Sequence, residues 1–277
     1  MHTKYNNSKT LGSQAARLVT TLHERGRRIF TLADVTGITS LAEPSAASFV
    51  SKLVARGVVS RLQPGLYTLV PFELGKEREF MGNPYVVAAA LTEGADYYIS
   101  HASAMDIHGM TTQPQLVVYV TSPRSMRSRS ILGTEFRFVH CKAVHFFGTC
   151  DHWVDKVDKV VVSDLERTVV DGLKHPEYSG GFSEVAKGFW MRWRDIDAHQ
   201  LVDYALRLDI GAVTRRLGYL LEAYGIDAPA EIDRLHRHLT DTYVLLDPLL
   251  PAEGKYLSRW RLRLNVSPEE LQAVIAT

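Results

Sequence analysis

At 277 residues, with 45% hydrophobic and 23% charged side chains, the chain has the composition of ordinary globular domains, not of a disordered or membrane-spanning protein. No apolar run approaches the roughly 18 residues of a membrane span, the N-terminus MHTKYNNSKT lacks the apolar stretch of a secretory signal, and two cysteines, Cys141 and Cys150, are too few for a disulfide framework. A reducing cytoplasm is the expected setting, with no membrane partner.

The formal net charge of +1 hides an asymmetry: residues 1–70 hold nine basic side chains against three acidic ones, while the remainder holds 23 against 28. The length suggests a small domain and a large one, and a basic small domain suits nucleic-acid binding at one end.

Leu11, Ala15, Leu18, Val19 and Leu22 share one face of an amphipathic helix that Gly26 ends. Arg25, Arg27 and Arg28 follow. All three suit the negative end of the helix dipole, and Arg27 and Arg28 either serve only that or reach a phosphate backbone. Ile29 and Phe30 read as a short extended segment. Thr31 with Asp34 is a capping-box-like start of a second helix, about 32–36, which Gly37 is expected to break. A third helix starts either at Ser40, with Glu43 as its third residue, or at Pro44 as its first.

The apolar set of this third helix is Ala46, Phe49, Val50, Leu53 and Val54; its polar set is Ser45, Ser48, Ser51, Lys52 and Arg56. Small hydroxyl side chains let a helix lie close in a groove about 12 Å wide, where they contact bases or phosphates, and Lys52 and Arg56 neutralise phosphate. Two short strands, 58–62 and 66–69, flank Gln63-Pro64-Gly65, a strong turn signal. Arg61 and Gln63 lie where a wing meets the backbone or the minor groove. The order helix, helix, helix, hairpin is that of a winged helix-turn-helix. Residues 1–72 are therefore read as that DNA-binding domain, 73–84 as a linker or brief helix, and 85–277 as a larger mixed α/β domain.

Beyond the linker the expected elements are a helix at 85–92, strands at 97–99 and 116–120, and a short helix at 100–108 ended by Gly109. Arg124, Arg127 and Arg129 stand in a serine-rich loop, with Arg137 nearby. They form a candidate second basic site for a phosphate backbone or an acidic protein surface. Strands are expected at 135–140 and 144–147. A capping box Ser163-Asp164-Leu165-Glu166 opens a helix to Leu173. Four further helices follow to about His238. LSRWRLRLNV (257–266) alternates apolar and basic residues as a late strand, expected to return to the mid-chain sheet.

His140, Cys141, His145, Cys150 and His152 are candidate zinc ligands by type, but their spacing matches no familiar knuckle. His101 and His108 on one helix are two turns apart, too far to share a metal, and Asp106 joins them only if the fold collects all three. Asp151, Asp155 and Asp158 read as solvent-facing acids. No phosphate-binding loop, nucleophile elbow, zinc-protease or dinucleotide signature occurs. The residues thus favour a DNA-binding protein without catalytic residues, metal or cofactor, over a protein-interaction module or a zinc-dependent enzyme.

Five stretches resemble the AbiEi family of antitoxins, the regulator half of AbiE-type type IV toxin–antitoxin pairs: LVARGVVSRLQPGLYTLVP, YISHASAMDIHGMTTQP, VYVTSPRS, VVSDLERTVVDGLKHPEYSGG and YLSRWRLRLNV. The likeness extends over about residues 10–266, and none of the stretches is a catalytic signature. The resemblance implies a winged helix that binds inverted repeats in its own promoter and represses the operon. It implies a C-terminal antitoxin domain that counters a toxin resembling the AbiEii nucleotidyltransferases, without need of a stable complex. It places Ser45, Ser48, Lys52, Arg56, Arg61 and Gln63 on DNA, with Gly65, Leu66 and Tyr67 as structural residues of the wing.

Overall fold

The computed structural model describes residues 11–275. The polar N-terminal stretch, with Lys4 and Lys9 of the basic count, lies outside them. The described residues form two compact units: 11–94 with 129–135 and 153–159, and 95–128 with 136–152 and 160–275. The segment 73–84 and the helix after it group with the first unit.

The first unit runs α1 (Ser13–Glu24), β1 (Ile29–Thr31), α2 (Leu32–Thr39), α3 (Glu43–Ala55), β2 (Val59–Gln63), β3 (Leu66–Leu69), a 3-10 turn (Phe72–Leu74) and α4 (Pro84–Leu91). The strands form an antiparallel sheet in the order β1-β3-β2. Helix α1 buries Ala15, Leu18, Val19 and Leu22, α3 buries Ala46, Val50 and Leu53, and Phe30, Val58, Val59 and Leu69 close the core from the sheet. This is the winged helix-turn-helix arrangement.

Local chemistry sets these boundaries. The Thr31 hydroxyl accepts from Asp34 N, and the Asp34 carboxylate accepts from Thr31 N at 2.8 Å, so both halves of the capping box are made. Gly37 does not break α2, contrary to expectation: the helix runs to Thr39 and ends at Ser40, which turns left-handed at φ 61°. Val35 before that glycine and Ile38 and Thr39 after it are buried, so tertiary packing carries the helix across it. Ser40 therefore ends α2 and does not begin α3, which starts at Glu43 with Pro44 in its first turn.

The second unit contains β4 (Tyr98–Ile99), α5 (His101–Ile107) and β5 (Val117–Ser122). Then come β6 (Arg129–Ile131), whose residues group with the first unit, β7 (Thr134–His140), β8 (Thr149–Trp153) and β9 (Lys159–Ser163). The sheet order is β6-β7-β5-β4-β9-β8, with β4 antiparallel to β5 and parallel to β9. Residues 144–147, expected as a strand, instead include a 3-10 turn at Ala143–His145. Helices α6 (Leu165–Lys174), α7 (Phe182–Arg192), α8 (Ala198–Leu208), α9 (Gly211–Ala223) and α10 (Pro229–Arg237) follow. They share one core with Val169, Leu173, Phe189, Leu201, Leu217 and Trp260 at its centre. Asp164, not Ser163, caps α6, its carboxylate accepting from Arg167 N at 2.8 Å.

The late segment also differs from expectation. It forms two strands, β11 (Lys255–Leu257) and β12 (Leu262–Leu264), joined by a tight turn. With β10 (Val244–Leu245) they form their own sheet in the order β10-β12-β11, separate from the mid-chain sheet. Helix α11 (Pro268–Ile275) follows. No helix among the described residues is long and apolar enough to cross a membrane.

Candidate nucleic-acid interface

The two faces of α3 separate as a groove-reading helix requires. Ala46, Val50 and Leu53 lie in the core, while Ser45, Ser48, Ser51, Lys52 and Arg56 are exposed. A shallow concavity along this face is lined by Gln14, Leu41, Pro44, Ser45, Ser48, Phe49 and Lys52. Hydroxyls, one ammonium and one guanidinium on one side of a helix are groups that can contact base edges and phosphates.

The wing is β2, a turn at Pro64-Gly65 and β3. Gly65 has φ 82°, a conformation that favours glycine at the hairpin tip. Arg61 pairs with Tyr67 and Gln63 with Leu66, and the register shifts between Arg61 and Gln63. This bulge leaves Arg61 exposed, Leu62 buried and Gln63 half-buried. The Arg129 guanidinium donates to the Gln63 side-chain carbonyl, so one residue expected at the second basic site is joined to one expected in the wing.

Arg27 and Arg28 are held by acids. Arg27 pairs with Asp34 at 2.6 Å, and Arg28 with Asp155 at 2.6 Å and Asp158 at 3.4 Å. Asp155 also accepts from the backbone N–H groups of Val157 and Asp158, each at 2.8 Å. Those bonds, with the Arg28 charge, hold its carboxyl below the usual range, whereas burial pushes Asp158 up. Both arginines keep about half their side chain exposed.

Of the candidate second basic site, Arg124 and Arg127 are exposed in the second unit. Arg137 stacks over the Tyr119 ring at 5.6 Å. Arg129 belongs to the first unit.

The candidate zinc ligands are not gathered. His140 and Cys141 lie at the end of β7, and Cys150 and His152 on β8. Three strands separate β7 from β8. At about 4.8 Å per strand the two pairs are held well beyond a shared coordination sphere. Among the described residues no group of three or more His, Cys, Asp or Glu side chains could hold a metal ion.

A polar cluster missed by sequence reasoning lies in the second unit. Arg167 donates to Asp171 and to the Tyr98 hydroxyl, each at 2.9 Å, and Tyr98 donates to Asp171 at 3.0 Å. Burial alone would raise the Asp171 carboxyl, but the Arg167 charge outweighs it and holds the acid ionised. His101 sits close by at φ 52°, its Nδ1 2.9 Å from the Ser100 hydroxyl and its ring among Tyr119, His175 and Tyr178. Its Nε2 has no hydrogen-bond partner among the described residues. Burial pushes its pKa down to about 4. Tyr98, Ser100, His101, Arg167 and Asp171 are all buried, so the cluster ties β4 and α6 together inside the unit and presents no reacting surface. Only the i, i+4 spacing of Arg167 and Asp171 signals it in sequence.

Fold and exposed helix face together define a winged helix-turn-helix, a class of nucleic-acid-reading module. Residues 17–70, the same module, match the family model described as "Transcriptional regulator, AbiEi antitoxin". Over 97% of its length the chain is similar in fold to the crystal structure of RV2827C protein from Mycobacterium tuberculosis, with a TM-score of 0.69, 16% sequence identity and 96% of that chain covered. No curated protein matches it.

Proposed function

We propose that the protein is a cytoplasmic DNA-binding antitoxin of the AbiEi kind, a repressor of its own operon in a type IV toxin–antitoxin pair. The observation that carries the reading is the exposed Ser45, Ser48, Lys52 and Arg56 face of α3, set within a module whose residues 17–70 match the AbiEi regulator model.

In this reading α3 enters the major groove of inverted repeats in the promoter. Lys52 and Arg56 contact phosphate, Ser45 and Ser48 sit near base edges or phosphates, and Arg61 and Gln63 carry the wing onto the backbone. Arg27 and Arg28 add phosphate contacts at the end of α1. Residues 1–72 then form the DNA-binding domain, and the chain beyond residue 85 counters a nucleotidyltransferase-like toxin without requiring a stable complex. The role is regulatory and not enzymatic.

A gel shift with the DNA upstream of the operon tests it. The native protein retards that duplex, and Lys52→Ala with Arg56→Ala abolishes or strongly weakens the shift. Retardation unchanged in the double variant overturns the assignment of α3. Absence of any shift, with co-purification of the toxin, favours a protein-interaction module instead.

A further inference from the structure

The small sheet β10-β12-β11 has one face that the reading above leaves unused. Along β12, Leu262 is fully buried and Leu264 packs against the core, while Arg261, just before the strand, and Arg263 project to the other side. Register places Tyr256 of β11 opposite Arg263, and Tyr243 precedes Val244, the β10 partner of Leu262. The four side chains interleave. Arg263 lies over the Tyr256 ring at 5.3 Å and Arg261 over the Tyr243 ring at 5.7 Å. The two tyrosine rings meet edge to face with centroids 5.1 Å apart.

We propose that this face binds single-stranded RNA, the Tyr256 and Tyr243 rings stacking bases and Arg261, Arg263 and the exposed Lys255 taking the flanking phosphates. Tyr256 is 63% exposed although aromatic, a state that stacking a base relieves. Aromatic rings flanked by guanidiniums on an open sheet are a sequence-tolerant platform for unpaired bases. The face is built of strands of two or three residues, an open surface unlike the helix that a duplex major groove admits. The Tyr243 hydroxyl donates to the Ser258 hydroxyl at 3.3 Å and accepts from Arg261 Nη1 at 3.4 Å, which leaves one lone pair as an acceptor for a ribose 2′-OH.

The platform is firmly held. Val244 N donates to Arg261 O at 3.1 Å and Leu246 N to Arg263 O at 3.0 Å. Beneath the turn, Trp260 is fully buried and its indole N–H donates to Glu222 at 2.6 Å. Asp241, 3.5 Å from Arg261, is fully exposed and can swing away as phosphate arrives.

The test is fluorescence anisotropy of the full-length protein with a labelled single-stranded RNA of about ten nucleotides. The native protein binds it saturably and more tightly than the deoxy strand of the same sequence. Tyr256→Ala weakens binding about tenfold while Tyr256→Phe leaves it within about twofold. Arg263→Gln weakens it and flattens the salt slope by about 0.7. Unchanged thermal midpoints show that the variants fold, and Lys52→Ala with Arg56→Ala leaves RNA binding intact, which separates this site from the winged helix. Absence of saturable RNA binding, indifference to Tyr256→Ala, equal affinity for the deoxy strand, or loss of binding in the α3 double variant each overturns the proposal.

Discussion

Arg129 donates a hydrogen bond to the side-chain carbonyl of Gln63, joining the first strand of one hairpin to the wing strand β2 within the first unit. The two residues are 66 positions apart. The bond fixes Gln63 next to the register shift that separates it from Arg61.

If the bond sets the wing's pose on DNA, the two residues act as a unit. Gln63→Ala and Arg129→Ala should each weaken binding to the operator duplex by about two- to tenfold, the span of one net hydrogen bond. The double variant should be no weaker than the worse single one. A double-mutant cycle on operator binding reads this directly, and additive losses would show that the residues contribute separately.

His101 should make stability depend on pH. Its folded pKa is pushed down to about 4 from 6.5 by burial. Above pH 6.5 both folded and unfolded chains carry a neutral imidazole and the full stability is present. As pH falls from there toward 4, the unfolded chain binds a proton that the folded one refuses, so stability is lost across that window, by ~3 kcal/mol in total. His101→Asn keeps a side chain that tolerates the left-handed backbone and removes the titration. Urea unfolding at pH 7 and near pH 4 should show a smaller pH-dependent loss for the variant; equal losses would mean that His101 does not titrate as a buried group.

Two glycines should respond oppositely to alanine. A Cβ at Gly37 meets nothing within 4 Å, so Gly37→Ala should stabilise α2 by about 0.5–1 kcal/mol. A Cβ at Gly218 falls 2.1 Å from the Trp260 ring. Gly218→Ala should destabilise by at least ~1–3 kcal/mol, because the buried indole has no room to yield. Thermal unfolding distinguishes the two, and a neutral Gly218→Ala would contradict the tight seating of Trp260 against α9.

The first unit was largely legible in its sequence because its signals are local. Thr31 and Asp34 cap α2, Pro44 lies in the first turn of α3, and Pro64-Gly65 makes the wing turn, each within a few residues. The departures arise where distant packing decides. Gly37 has a weak helix propensity that burial of Val35, Ile38 and Thr39 overrides. Arg259 to Arg261 interrupt an alternating pattern with a turn, which Arg261 enters at φ 50° while Trp260 sinks into the core. Tyr98 and Asp171 are 73 positions apart, and no periodicity announces their contact. Of the candidate interface, the helix face could be read from its 3.6-residue spacing; the acids that hold Arg28 and the Gln63–Arg129 bond depend on segments returning from the middle of the chain.

The central claim is that α3 reads DNA through Lys52 and Arg56. The most direct measurement is the salt dependence of binding to the upstream duplex for the native chain and for Lys52→Ala with Arg56→Ala. The account predicts tight binding by the native chain, a large loss in the double variant, and a log–log salt slope shallower by about 0.9 for each phosphate contact removed. Equal affinity and equal slope in the two proteins would contradict it.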